Sequence, residues 1–176
     1  MKVGVYRENG QGETRVSATP DSVARLLKLG LEVCVEKGAG ELAGYPDSDY
    51  EQAGASIVDS AAVSSADFIF AINLPNSETL TSIASGSMLV LFLGMCEDDG
   101  TLQGLAERKV DVLALERIPR ISRAQSMDIL SSQANIGGYR AVLEATVHYN
   151  RFFPLMMTSA GSAKPARVVV LGAGVA

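Results

Sequence analysis

Thr19-Pro20-Asp21-Ser22-Val23-Ala24-Arg25-Leu26-Leu27-Lys28-Leu29-Gly30-Leu31-Glu32-Val33-Cys34-Val35 carries two periodicities in succession. Thr19 reads as a helix cap with Pro20 in the first turn. Val23, Leu26 and Leu27 then recur at helical spacing, and Gly30 marks the end. Leu31–Val35 follows as a short apolar strand. The same alternation extends outward on both sides. Val3–Tyr6, Phe68–Ile72, Met88–Leu93 and Val110–Leu115 read as further strands, each flanked by Gly, Pro, Asp or Asn. Asp99-Gly100-Thr101 precedes Leu102, Leu105 and Ala106 in another helical stretch. Strands separated by helices of this length need right-handed crossovers. The expected fold is therefore α/β, a doubly wound parallel sheet of flavodoxin or Rossmann type, covered on both faces.

Composition narrows the class. A chain of 176 residues accommodates one well-cored domain and part of a second. With 47% hydrophobic and 20% charged residues it is globular rather than disordered. A net charge of -5 with no dominant basic stripe excludes non-specific nucleic-acid binding. The longest apolar stretch, Met88 to Cys96, falls far short of the roughly 20 residues a membrane span needs, so no transmembrane segment is expected. Met1-Lys2-Val3-Gly4-Val5 enters a strand pattern directly, with no signal-peptide pattern ahead of it. Cys34 and Cys96 lack metal spacing and read as buried thiols of a reducing compartment. A cytosolic location, or one facing the cytosol, is the expectation.

After Leu115 the pattern changes. Glu116 to Asp128 is polar and arginine-rich, and a helical stretch follows from Ile129 to Arg151, with Ile129, Leu130, Ile136, Leu143 and Val147 near helical spacing. Gly137-Gly138 inside it costs about 2 kcal/mol relative to alanines, which points to close backbone packing or a small break. Phe152-Phe153-Pro154 ends that helix, and Lys164-Pro165 separates it from a last apolar run, Val168-Val169-Val170-Leu171. Gly172-Ala173-Gly174 follows at once, as in the first strand and turn of a dinucleotide-binding domain. The helix that would hold a pyrophosphate, and an acidic residue roughly 20 positions on, would lie beyond Ala176. The expected organisation is an N-terminal α/β domain over 1–125, a connector helix and linker over 126–164, and the start of a truncated NAD-binding domain over 165–176.

The segment Arg117-Ile118-Pro119-Arg120-Ile121-Ser122-Arg123-Ala124-Gln125-Ser126-Met127-Asp128 is the most unusual on the chain. Its guanidiniums are planar donor forks suited to carboxamides, carboxylates or phosphates, and Gln125 offers a donor and an acceptor together. From the residues alone, a solvated salt-bridged loop and a ligand loop both remain open.

Pro119–Asp128, together with Ser131-Ser132-Gln133-Ala134-Asn135-Ile136-Gly137-Gly138-Tyr139-Arg140, closely resembles the α-subunit of proton-translocating NAD(P) transhydrogenase. Glu13-Thr14-Arg15-Val16-Ser17-Ala18-Thr19-Pro20 and Val35-Glu36-Lys37-Gly38-Ala39-Gly40 resemble its earlier motifs, and Leu171–Ala176 its nucleotide fingerprint. The resemblance implies the peripheral NAD(H)-binding component of an enzyme that moves hydride between NADH and NADP+, coupled to proton movement. It implies that NADP(H) is held by a partner subunit or domain, that membrane subunits are partners, and that the component is a homodimer attached peripherally to the inner membrane. It places Arg120, Gln125 and Asp128 at the nicotinamide end of NAD(H) as the catalytic and binding set, with Ser131 one helical turn on. Arg120 would meet the carboxamide, Gln125 the nicotinamide ribose, and Asp128 would orient the arginine or the ring. Gly172 and Gly174 would belong to the nucleotide fingerprint. Arg117 and Arg123 read as surface ion-pair partners.

Alanine dehydrogenases, which resemble the same motifs, provide the alternative. Oxidising an amino acid needs a carboxylate site and a proton acceptor. The resemblance supplies an Arg and a Lys for the first and a His for the second. Arg15 is present, but the Lys position falls at Asn73 and the His position near Gly94-Met95. His148 reads as a packed or solvated ring of the connector helix. Hydride transfer between two nicotinamides needs no side-chain proton acceptor, which suits these absences, and Arg15 then reads as a structural ion pair. A degenerate domain that only binds partner subunits is a third, non-enzymatic reading. A chain that stops at the fingerprint is expected to be inactive alone and to hold NAD(H) weakly.

Overall fold

The computed structural model describes residues 1–94 and 100–176, and the chain divides into two units, Met1–Ile118 and Pro119–Ala176. Cys96, Met95 and the Asp99 position of the expected cap lie outside the described residues.

The first unit begins with β1 (Lys2–Val5), α1 (Pro20–Lys28) and β2 (Glu32–Glu36). Local chemistry sets both ends of α1. Thr19 accepts the Ser22 amide at 3.3 Å, and Pro20 starts the helix. At the other end Gly30 has φ 80°, with its own amide on Leu27 O and the Leu31 amide on Leu26 O. That is a Schellman stop, which only glycine enters without a Cβ penalty. There follow α2 (Asp47–Ala53), β3 (Ser56–Val58), α3 (Ser60–Ser64), β4 (Phe68–Phe70) and α4 (Ser77–Ser82). The unit ends with β5 (Met88–Leu91), α5 (Thr101–Glu107) and β6 (Asp111–Ala114).

The six strands form one parallel sheet in the order β3-β2-β1-β4-β5-β6, the order of dinucleotide-binding sheets. Strand alternation sends two side-chain sets to opposite faces. Val3, Val5, Val23, Val33, Val35 and Tyr50 form one core cluster with α1 and α2. Cys34, Val63, Ile69, Leu80, Leu89 and Leu105 form the other with α3, α4 and α5. The helices change face between β1 and β4, whose connections leave the carboxyl ends toward opposite faces while the strands stay paired as far as Tyr6 N and Phe70 O. Gly4 lets α3 approach closely, since a Cβ there would sit 2.9 Å from Val63 Cγ1. Strands β4, β5 and β6 fall within the runs expected from sequence, and β1 and β2 are each displaced from theirs by one residue. β3 was not anticipated. Its three residues carry no alternation of their own, and the ladder to Cys34–Glu36 defines it.

In the second unit residues Ser122–Met127 form a 3-10 turn, α6 covers Ile129–His148, and β7 (Met156–Thr158) pairs antiparallel with β8 (Gly161–Ala163). The helix runs through Gly137-Gly138 without the small break that was one expectation. A Cβ at Gly138 would overlap the Ala176 backbone, so close packing is the reason for that glycine, while Gly137 faces open space. The β7–β8 hairpin was not foreseen. The expected strand at Val168–Leu171 is not formed, and Leu171 is 95% exposed. A strand exists through its ladder, and no neighbouring strand pairs with this run among the described residues. No helix among the described residues is long and apolar enough to cross a membrane.

Candidate functional site

Two polar sites stand out, one in each unit. In the second, Arg120, Ile121, Ser122, Ala124, Gln125 and Asp128 line a cavity of about 210 Å³. The 3-10 turn brings Arg120 and Gln125 to the same hollow, and Asp128 closes it as the N-cap of α6. Asp128 Oδ1 accepts the Ser131 amide at 3.0 Å and Oδ2 accepts the Ser131 hydroxyl at 2.6 Å. The Ser131 hydroxyl bond holds the Asp128 carboxyl below the usual carboxylate range, with its amide bond and the Arg120 charge acting in the same direction. The hollow therefore carries an arginine fork, an amide and an ionised carboxylate. That donor set fits a carboxamide with adjacent hydroxyls. Ser131 lies outside the lining and acts on Asp128 instead. Gly172 has φ 102°, and neither it nor Gly174 lines the cavity. Arg117 and Arg123 are exposed, and neither forms an ion pair within 4.0 Å among the described residues.

In the first unit a crevice of about 250 Å³ opens at the carboxyl ends of β1, β2 and β4, with Tyr6, Glu8, Glu36, Ser60, Asn73 and Asn76 in its walls. This is the switch point of the sheet, where doubly wound folds place ligands. Glu8 reaches from the β1 loop to accept the Ile72 amide at 2.6 Å, the Asn73 amide at 3.2 Å and Asn73 Nδ2 at 3.1 Å. Asn73 Nδ2 also donates to Glu13 Oε2 at 3.0 Å. Glu13 receives Arg15 Nε at 2.8 Å and Nη2 at 2.7 Å as a bidentate pair. Bonding to Arg15 pulls the Glu13 carboxyl down to about 2, against opposing desolvation. Arg15 is thus an ion-pair member in this structure. Glu8, Glu13 and Glu36 were missed from sequence. Glu13-x-Arg15 was the available signal, because alternate residues of an extended loop share a side. His148 is 80% exposed at its side chain with Nε2 3.7 Å from Glu144, and Cys34 is buried, with burial pushing its thiol pKa up. Among the described residues no cluster of three His, Cys, Asp or Glu side chains forms a metal site.

The sequence is similar to known proteins along its whole length. It is 45% identical to the NAD(P) transhydrogenase subunit alpha of Haemophilus influenzae over the entire chain, which covers 34% of that protein. It matches the crystal structure of a transhydrogenase from Sinorhizobium meliloti with a TM-score of 0.96 and 38% identity, covering 99% of this chain and 53% of that one. Alanine dehydrogenase of Mycobacterium tuberculosis is more distant, at 29% identity over the full chain and 48% of its own length. The chain thus spans about a third to a half of the proteins it resembles. The family defined as alanine dehydrogenase/PNT, N-terminal domain, matches residues 4–137, which include the parallel sheet from the middle of β1 onward, the switch-point loops and the Arg120–Asp128 turn. This chain belongs to that alanine dehydrogenase/PNT family.

Proposed function

We propose that this chain is the N-terminal portion of the NAD(H)-binding subunit of a proton-translocating transhydrogenase. The observation that carries the reading is the convergence of Arg120, Gln125 and Asp128 on one cavity, within a sequence 45% identical to a transhydrogenase α-subunit. The reaction passes hydride from NADH to NADP+ and yields NAD+ and NADPH, with NADP(H) on a partner subunit or domain and proton movement through membrane subunits. The nicotinamide, when bound, supplies the carbon that carries the hydride. The protein's part is orientation and exclusion of water. Arg120 and Gln125 hold the carboxamide and ribose side, and Asp128 steadies the arginine from its fixed position on the α6 cap. Ser131 keeps that carboxylate ionised and aimed. No side chain takes a proton in direct hydride transfer.

In this reading 1–125 is the α/β domain, 126–164 the connector, and 165–176 the opening of a nucleotide domain whose Gly172-x-Gly174 turn lies under the pyrophosphate. Val168–Leu171 becomes a strand when paired in that domain's sheet. The location is peripheral to the inner membrane, on the cytoplasmic side. A homodimer accounts for the exposure of Ile136, Tyr139, Val142 and Val147 on α6. The alanine-dehydrogenase alternative is disfavoured because Glu13 already engages Arg15 and Asn73 stands where a lysine would be needed.

Gln125→Ala in the assembled enzyme tests the reading. Hydride transfer should fall by on the order of a hundredfold while the melting temperature moves little. Equal losses of rate and stability would make Gln125 structural and remove the proposal's support.

A further inference from the structure

We infer that Ala124 is the floor of the Arg120–Asp128 hollow and that side-chain size at this one position decides whether an aromatic ring can enter. This inference rests on the hydride-transfer reading and adds to it a residue that selects the ring by its bulk.

Within residues 119–176 only Ala124 is buried, at 5% exposure. Ser122, Arg123, Gln125, Ser126 and Met127 around it are all exposed. Ala124 nevertheless lines the cavity of about 210 Å³. A residue that borders a cavity and shows almost no surface to water lies at its bottom. A place in the core does not account for the small residue, because Ala124 belongs to neither core cluster. The local backbone does account for its position. The Ala124 amide donates to Ile121 O at 2.9 Å, which closes the first turn of Ser122–Met127 and brings Ile121 and Ala124 to the same hollow.

The hollow therefore has two kinds of wall. Arg120, Gln125 and Asp128 supply donors and acceptors, while Ile121 and Ala124 supply apolar surface. A pyridine ring bearing a carboxamide divides in the same way, into a flat apolar body and a polar substituent. Pockets of this kind use apolar surface for contact and a few polar groups for orientation. Alanine offers a methyl contact and nothing more. Carbons added at 124 would project into the volume that the ring must fill, and a packed site accommodates extra volume poorly. The polar groups would stay in place, but the ring would no longer reach them.

The test compares Ala124→Val with the parent in the assembled enzyme by equilibrium titration with NADH and with ADP-ribose, which lacks the nicotinamide ring. Valine should weaken NADH binding on the order of tenfold, the scale on which a methylene group discriminates in an apolar pocket. ADP-ribose binding should not change. Equal weakening of both ligands, or unchanged NADH affinity, overturns the inference. If Ala124→Val does not fold, the parent itself decides. With alanine methyl groups labelled by carbon-13, the Ala124 methyl resonance should shift on addition of NADH and stay in place with ADP-ribose. A shift common to both ligands, or none with NADH, overturns the assignment. Gln125→Ala separates this inference from the reading beneath it. A hydride-transfer rate unaffected by that variant removes the nicotinamide from the hollow and the Ala124 floor with it. A lowered rate, beside an unchanged ratio of NADH to ADP-ribose affinity in Ala124→Val, overturns the role of Ala124 alone.

Discussion

Glu13 and Arg15 lie two positions apart on an extended loop, so both side chains project the same way and meet as a bidentate pair. Because the folded-state pKa of Glu13 is about 2, below its ordinary 4.5, the pair's contribution is complete above the ordinary value and is lost as pH falls toward 2. A shift of that size corresponds to roughly 3 kcal/mol, reduced to about 2 by solvent screening at the half-exposed arginine. Glu13→Gln should therefore be less stable than the parent by about 2 kcal/mol near neutral pH, and the gap should close on acidification. Urea unfolding at several pH values measures it. A gap that persisted at the lowest pH would place the stabilisation elsewhere. Asp128 allows a second separation of roles. Asp128→Asn keeps an N-cap acceptor but removes the charge beside Arg120, whereas Asp128→Ala removes both and should lower α6 stability. Thermal melts together with transhydrogenation rates of the assembled enzyme distinguish them: the Asn variant should lose rate and keep stability.

Elements carry their own signatures, and α1 and α5 make a matched comparison. Both end in the same Schellman arrangement. Gly30 occupies the left-handed position after α1, but Lys109 occupies it after α5 with φ 59°. An L-residue there pays roughly 1 kcal/mol. Lys109→Gly should thus stabilise the protein by about 1 kcal/mol and Gly30→Ala should destabilise it by a similar amount. Opposite signs in equilibrium unfolding are the expected result. Equal signs would mean that side-chain packing outweighs backbone strain at these stops. Gly4 is a different kind of glycine. Its φ is ordinary, and its role is to leave room for Val63. The first kind was legible in sequence, since Gly30 follows a helical run. The second was not, because the neighbour lies 59 residues away.

At the scale of the molecule, the first unit holds almost all of the buried apolar residues, while α6 in the second has none. Burial is what slows opening. Amides of β1, β2, β4 and β5 should exchange slowest, and those of α6 should exchange appreciably faster in the isolated chain; hydrogen exchange read by mass spectrometry checks this. Equal protection would show that α6 is covered, as by a second copy. For the same reason the chain alone should bind NADH too weakly for calorimetry in the micromolar range, because Val168–Gly174 has no sheet to hold its turn in place. Micromolar binding would contradict the view that the fingerprint needs its own sheet.

The fold class was written in the order of apolar runs, caps and stops, because helix and strand periodicities are local properties of the chain. The Arg120–Asp128 segment was likewise recognisable from residue identity, and its Asp128 is a cap for the helix that follows at once. What sequence left open required distant partners: the order β3-β2-β1-β4-β5-β6, the existence of β3, and the Glu8–Asn73–Glu13 cluster. Even Val168–Leu171, apolar enough to be read as a strand, has no ladder among the described residues. Local preference can nominate a segment, but inter-strand hydrogen bonds and long-range carboxylate contacts come into being only when the fold brings their two halves together.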